Sequence, residues 1–125
     1  MTPLILVVED EPPVRRVTCA HLERAGFRCL DAETADRAQR ILAAGTVPDL
    51  MVLDVRLPDV PGPAFALQVH RHHPAIPVLF VSGWIDGLAD STTLAPLRWG
   101  FLQKPFSGEA LIGGVKRLLA AAAQS

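Results

Sequence analysis

Four short groups of residues in this chain carry side chains suited to holding a hard cation and moving a phosphoryl group. Glu9, Asp10 and Glu11 follow the apolar run 4–8, and Asp54 follows the run 50–53. Ser82-Gly83 follows the run 78–81, and Lys104-Pro105-Phe106 follows the short run 101–102. Carboxylates gathered in a partly dehydrated crevice repel one another, and a divalent cation with a preference for oxygen relieves that repulsion; Mg²⁺ is the natural choice because it also keeps water ligands. A lysine and a hydroxyl beside the metal supply the cationic and hydrogen-bonding partners that the equatorial oxygens of a transferring phosphoryl group need. Asp54 is then the candidate nucleophile.

These groups can act together only if the fold brings them to one place. The apolar runs at 4–8, 29–30, 50–53, 78–81 and 101–102 read as strands. Between the first two, Val14, Val17, His21/Leu22 and Ala25 recur at helical spacing and stop at Gly26, which predicts a helix over 12–25 with proline in its first turn. Thr34 is a candidate N-cap for a second helix closed by Gly45, and a third over 63–73 is stopped by Pro74. The stretch 84–96 is the weakest helix: Gly87 interrupts it, Ser91-Thr92-Thr93 lowers its propensity, and it is expected to be short, bent or mobile. Ser107 caps a last helix through Leu119, with fraying expected from Ala120. Strands alternating with helices imply an α/β domain with a doubly wound five-stranded parallel sheet covered by helices on both faces. In such sheets the ligand crevice lies beyond the carboxyl ends of the strands, where all four groups fall.

Composition narrows the alternatives. The 125 residues, 50% hydrophobic and 20% charged, suit a single domain over 1–125. Net charge is −1 from 12 basic and 13 acidic residues, with no basic cluster, so direct nucleic-acid binding is not expected. Cys19 and Cys29 lie in apolar stretches and read as small hydrophobes in a reducing cytoplasm, not as a disulfide framework. The run 4–8 is too short for a signal or a membrane span, so no membrane contact is expected.

The order and spacing of Glu9-Asp10, Asp54, Ser82 and Lys104-Pro105 resemble the receiver domain of two-component response regulators. Leu-Pro-Asp-Val-Pro-Gly at 57–62 and Phe-Leu-Gln-Lys-Pro-Phe at 101–106 extend the likeness over nearly the whole chain. The resemblance implies a flavodoxin-like sheet of order 2-1-3-4-5 and phosphorylation of Asp54 by a phosphohistidine on a histidine kinase or histidine phosphotransfer protein. It also implies that Asp10 and Asp54 ligate Mg²⁺ directly, with the Arg56 carbonyl as a third protein oxygen and Glu9 acting mainly through water. By the same likeness Lys104 pairs with Asp54 at rest and with phosphoryl oxygens afterwards, a cis Lys104-Pro105 bond aims its amine, and Ser82 with Phe101 forms the switch. Two departures stand out: Glu9 is one methylene longer than the Asp many relatives carry, and Phe101 replaces a frequent Tyr in a chain that has no Tyr. The wording around 80–84 and 101–106 resembles hybrid sensor kinase receivers, so a free regulator and a hybrid-kinase receiver both remain open, as does a weak homodimer.

Other readings compete. The acids at 9–11 would also suit the positive end of the first helix. His70, His72 and His73 read as a charged helix terminus, and His21 as a packed histidine; none is given a site role. Trp84 is expected to border the crevice, and Trp99 to pack near the last strand. A Mg²⁺-dependent phosphatase of the haloacid dehalogenase type also uses a strand-end aspartate but needs a second Asp two residues on, where this chain has Arg56. A scaffold that keeps the fold without being phosphorylated is the remaining rival.

Overall fold

The apolar runs pair side by side as one parallel sheet. The computed structural model describes residues 2–83 and 91–123. Strands β1 (Leu4–Val8), β2 (Arg28–Ala32), β3 (Leu50–Asp54), β4 (Val78–Ser82) and β5 (Trp99–Gln103) lie in the order β2-β1-β3-β4-β5. Helices α1 (Pro12–Arg24), α2 (Ala35–Ala43), α3 (Gly62–His72) and α4 (Gly108–Ala123) connect or follow them. The expected helix over 84–96 is represented among the described residues by a single 3₁₀ turn, Ser91–Leu94; Trp84 and the rest of 84–90 lie outside them.

Side-chain alternation along the central strands builds two cores. Leu6, Met51, Leu53 and Phe80 face Ala38 and Phe65 of α2 and α3. Ile5, Val52, Leu79 and Val81 face Leu22, Leu111 and Val115 of α1 and α4. With helices on both sides, β3 and β4 are buried at every position, which is why they read as unbroken apolar runs. The outer strands β2 and β5 are longer than the two-residue runs expected: Arg28 and Asp31 break the apolar pattern of β2, while most of β5 is only half-buried. At such edges backbone pairing extends past the side chains that signal it. Trp99 lies on β5 itself and packs edge-on against Phe80, with ring centroids 6.0 Å apart.

Helix ends follow the local chemistry. Thr34 Oγ1 accepts from Arg37 N at 3.0 Å, and Ser107 Oγ accepts from Ala110 N at 3.0 Å. Gly26 and Gly45 take φ of +96° and +100° just past α1 and α2. α4 continues to Ala123 instead of fraying at Ala120. His21 lies half-buried on α1, and a Cβ at Gly108 would come 2.5 Å from its Nδ1.

The loop after β3 is the tightest connection near the candidate site. Gly62 N donates to Val55 O at 2.8 Å, and Arg56 bridges to Pro61. The Asp59 carboxylate accepts from Ala35 N at 3.1 Å and Asp36 N at 2.9 Å, tying this loop to the start of α2. A Cβ at Gly62 would run into the carbonyl oxygen of Asp54. Gly62→Ala is therefore expected to lower stability by roughly 1–3 kcal/mol, the range for forced overpacking. Urea unfolding measures it, and a midpoint equal to that of the unsubstituted domain would contradict the close approach.

Candidate functional site

Parallel pairing aligns the strand ends. Val8 pairs with Leu53 and Asp54 with Val81, so Glu9, Asp54 and Ser82 emerge on the same edge of the sheet. Lys104 N donates to Ser82 O at 2.8 Å, carrying the β4–β5 pairing one residue past β5, and the Lys104-Pro105 bond is cis. Four chain segments far apart in sequence thus meet in one crevice.

The acids gather closely there. Glu9, Asp10, Glu11 and Asp54 each present a carboxylate oxygen within 4.8 Å of the others. Glu9 and Asp54 are buried, at 2% and 4% exposure, whereas Asp10 and Glu11 are exposed. Lys104 Nζ lies among them, 2.7 Å from Glu9 Oε1, 2.9 Å from Asp54 Oδ2 and 3.5 Å from Glu11 Oε1. The Lys104–Asp54 contact is a hydrogen bond, and Asp54 Oδ1 accepts from Arg56 N at 2.9 Å. The Lys104–Glu9 contact is a close ion pair without hydrogen-bond alignment, so Glu9 Oε1 stays buried with no hydrogen-bond partner among the described residues.

Electrostatics follow from this crowding. Burial pushes the Glu9 carboxyl up from 4.5 to about 7; the Lys104 contact opposes that rise and neighbouring Asp54 adds to it. For Lys104, burial works against the charged form, but its close contacts with Glu9 and Asp54 prevail and hold the ammonium above the ordinary lysine range. The Lys104 ammonium thus answers three carboxylates. An all-oxygen donor set with a buried carboxylate oxygen that makes no hydrogen bond among the described residues fits a hard divalent cation such as Mg²⁺.

The arrangement brings together Glu9, Asp10, Asp54 and Lys104, and sets Ser82 at the adjoining strand end, 1% exposed. Phe101 stands further back on β5, in register with Phe80. Glu11 is the N-cap of α1 and makes no side-chain cap bond, while Glu9 Oε2 accepts from Glu11 N at 3.2 Å. His70 and His72 lie in the last turn of α3. Glu11 joins the acidic cluster with its neighbours in sequence. One participant escapes the sequence reading: Arg15 of α1 donates to the Glu9 carbonyl at 2.9 Å while pairing with Asp31 of β2 at 3.2 Å. Its spacing carries no signal, because its partners are set by how α1 crosses the sheet.

Comparison with known proteins agrees with this geometry. The response regulator receiver domain family matches residues 5–116, and the chain belongs to it. The chain is 34% identical over 116 residues to the sensor kinase CckA of Brucella abortus, an alignment covering 92% of this chain and 12% of CckA. It is 38% identical over 105 residues to the KDP operon transcriptional regulatory protein KdpE of Escherichia coli, covering 82% of this chain and 44% of KdpE. It therefore spans a minor part of each of these relatives. Among solved structures, the receiver domain of NtrX from Brucella abortus superposes with a TM-score of 0.84 at 29% identity, covering 93% of this chain and 98% of that one. A CheY-like receiver domain protein from Methanospirillum hungatei shares the fold, with a TM-score of 0.88 at 22% identity over 99% and 98% of the two chains. The chain is thus a phosphoacceptor receiver domain of two-component signalling, and the phosphatase and scaffold alternatives are not favoured. No described helix is long and apolar enough to cross a membrane.

The raised Glu9 pKa gives a pH dependence with a definite sign. Between pH 4.5 and about 7 the unfolded chain releases the Glu9 proton while the folded chain keeps it, so the folded state loses stability as pH rises through that window. Glu9→Gln removes this loss. In chelator-treated buffer its stability relative to the unsubstituted domain should climb from pH 4.5 to about 7 and level off above; parallel urea-unfolding curves across the window would refute the assignment.

Proposed function

We propose that Asp54 is the phosphorylated residue and that residues 1–125 act as one receiver unit in the cytoplasm. Its partner is a histidine kinase or a histidine phosphotransfer protein that presents a phosphohistidine. The observation that carries this reading is the buried Asp54 carboxylate held at 2.9 Å by Lys104 Nζ inside the acidic cluster.

Arg56 N and Lys104 fix the two Asp54 oxygens, so the nucleophile is oriented before a donor arrives. In the transfer, a carboxylate oxygen of Asp54 forms a bond to phosphorus as the phosphorus–nitrogen bond of the donor breaks and the imidazole leaves with the electron pair. Lys104 moves its hydrogen bond from the carboxylate to a phosphoryl oxygen, and Ser82 donates its hydroxyl to another. Asp10 and Asp54, with the Arg56 carbonyl, would hold Mg²⁺ directly and Glu9 through water; the bound ion supplies positive charge to the phosphoryl oxygens. The new acyl phosphate draws Ser82 toward the site, and Phe101 answers the vacated space. With no tyrosine in the chain, that relay depends on the position of a ring rather than on a hydroxyl. The output is a changed affinity of the surface around 91–103 for its partner.

Incubation with Mg²⁺ and acetyl phosphate should add the mass of one phosphoryl group, and Asp54→Asn should add none. Lys104→Ala should slow the reaction by about 10²-fold, the usual effect of removing one charge-stabilising group. Labelling of Asp54→Asn at the unsubstituted rate, followed by intact mass, would remove Asp54 from this role.

A further inference from the structure

The chain's two cysteines lie outside the acidic crevice, on α1 and β2. Cys19 is in the second half of α1 and Cys29 is the second residue of β2; both are half-buried. Their sulfur atoms are 2.8 Å apart, closer than two thiols that merely pack. A disulfide bond is about 2.05 Å long, so closure needs a movement of only a fraction of an ångström.

The elements carrying the thiols are themselves fixed. Cys29 is in register with Ile5 of β1. The turn between α1 and β2 is held by Gly26 N to Glu23 O and Phe27 N to Leu22 O, each 3.0 Å. Arg15, one turn ahead of Cys19 on α1, already pairs with Asp31, two residues past Cys29 on β2. The two thiols therefore face each other by construction, at a depth small oxidants can reach. The hydrogen bond from Cys29 lowers the Cys19 pKa, and the same bond, together with burial, raises that of Cys29. The pair is thus asymmetric, with Cys19 the better nucleophile.

We propose that Cys19 and Cys29 form an oxidant-responsive dithiol that closes to an internal disulfide and staples α1 to β2. With hydrogen peroxide, the Cys19 thiolate attacks one oxygen, the O–O bond breaks, and the departing hydroxide takes a proton to become water. This leaves Cys19 as a sulfenic acid. The Cys29 sulfur then attacks the Cys19 sulfur, the S–O bond breaks, and hydroxide leaves with the Cys29 proton as a second water. Two thiols lose two electrons and one peroxide becomes two waters. Thiol reductants reopen the bond, so in a reducing compartment it is transient. Through Arg15, which also binds the Glu9 carbonyl, the staple anchors the helix that adjoins the acids.

The test uses the whole chain, treated with stoichiometric hydrogen peroxide. Intact mass should fall by two hydrogens, and non-reducing peptide mapping should recover a Cys19–Cys29 cross-linked peptide. The thermal midpoint should rise by roughly 5–10 °C and return with dithiothreitol, as expected for a short closed loop. Cys19→Ser and Cys29→Ala should each abolish the two-hydrogen loss and the thermal shift, with Cys29→Ala able to gain only the oxygen of a sulfenic acid on Cys19; two variants guard against one failing to fold. Disulfide-linked dimers, sulfinic acid on the unsubstituted chain, or an internal bond with no thermal shift would each overturn the proposal.

Discussion

Several carboxylates share one crevice with a single lysine, and that imbalance governs the site. Glu9 and Asp54 are buried and within 4.8 Å of Asp10 and Glu11, and the Lys104 ammonium reaches three of the four within 3.5 Å. Removing one partner from a buried ion pair is costly because the charge left behind has no water to replace it. The crevice therefore holds Lys104 charged and concentrates its strain on Glu9, whose proton is retained to about pH 7. A site short of positive charge attracts cations, and that same shortage is what a phosphoryl group adds to when its negative charge arrives. The demand for a divalent cation and the demand for Lys104 thus have one origin.

Such a site works only if its members are placed within fractions of an ångström, and the apolar sheet does the placing. All five residues of β3 are buried, so Asp54 ends a strand whose register is fixed by side chains in two cores. A slip of one residue would exchange the two faces and carry Asp54 away from the acids of β1. On the far side, the bond from Lys104 N to Ser82 O continues the ladder past β5. The lysine stem accordingly starts from a fixed backbone position. Gly62 completes the frame by letting the loop after β3 lie against the Asp54 backbone, where any side chain would collide.

What the sequence reveals and conceals divides along the same physical line. Central strands and helix ends are legible because burial on both faces forces apolar runs and because Thr34, Ser107, Gly26 and Gly45 satisfy purely local needs. The strand-end rule then suffices to bring Glu9, Asp10, Asp54, Ser82 and Lys104 to one edge, and the sheet order agrees with expectation. Edge strands are less legible: β2 mixes charged with apolar residues while backbone pairing continues beneath them. Contacts set by how helices cross the sheet leave no trace at all in spacing. The bond of Arg15 to the Glu9 carbonyl is one, and the meeting of Cys19 with Cys29 is another. The sequence tells that both cysteines lie in apolar stretches, not that they face each other.

Glu9 shows how one methylene can redistribute such a site. Its backbone carbonyl is held by Arg15, so the direction of the side chain is set by α1, and the longer stem carries the carboxylate inward to Lys104 at 2.7 Å. The longer acid therefore gives Lys104 a second anchor besides Asp54. In the proposed transfer this matters: when Lys104 turns from the Asp54 carboxylate to a phosphoryl oxygen, Glu9 still holds the ammonium from behind. The lysine can then change one partner without being released, and its charge stays in the crevice through the step that needs it most.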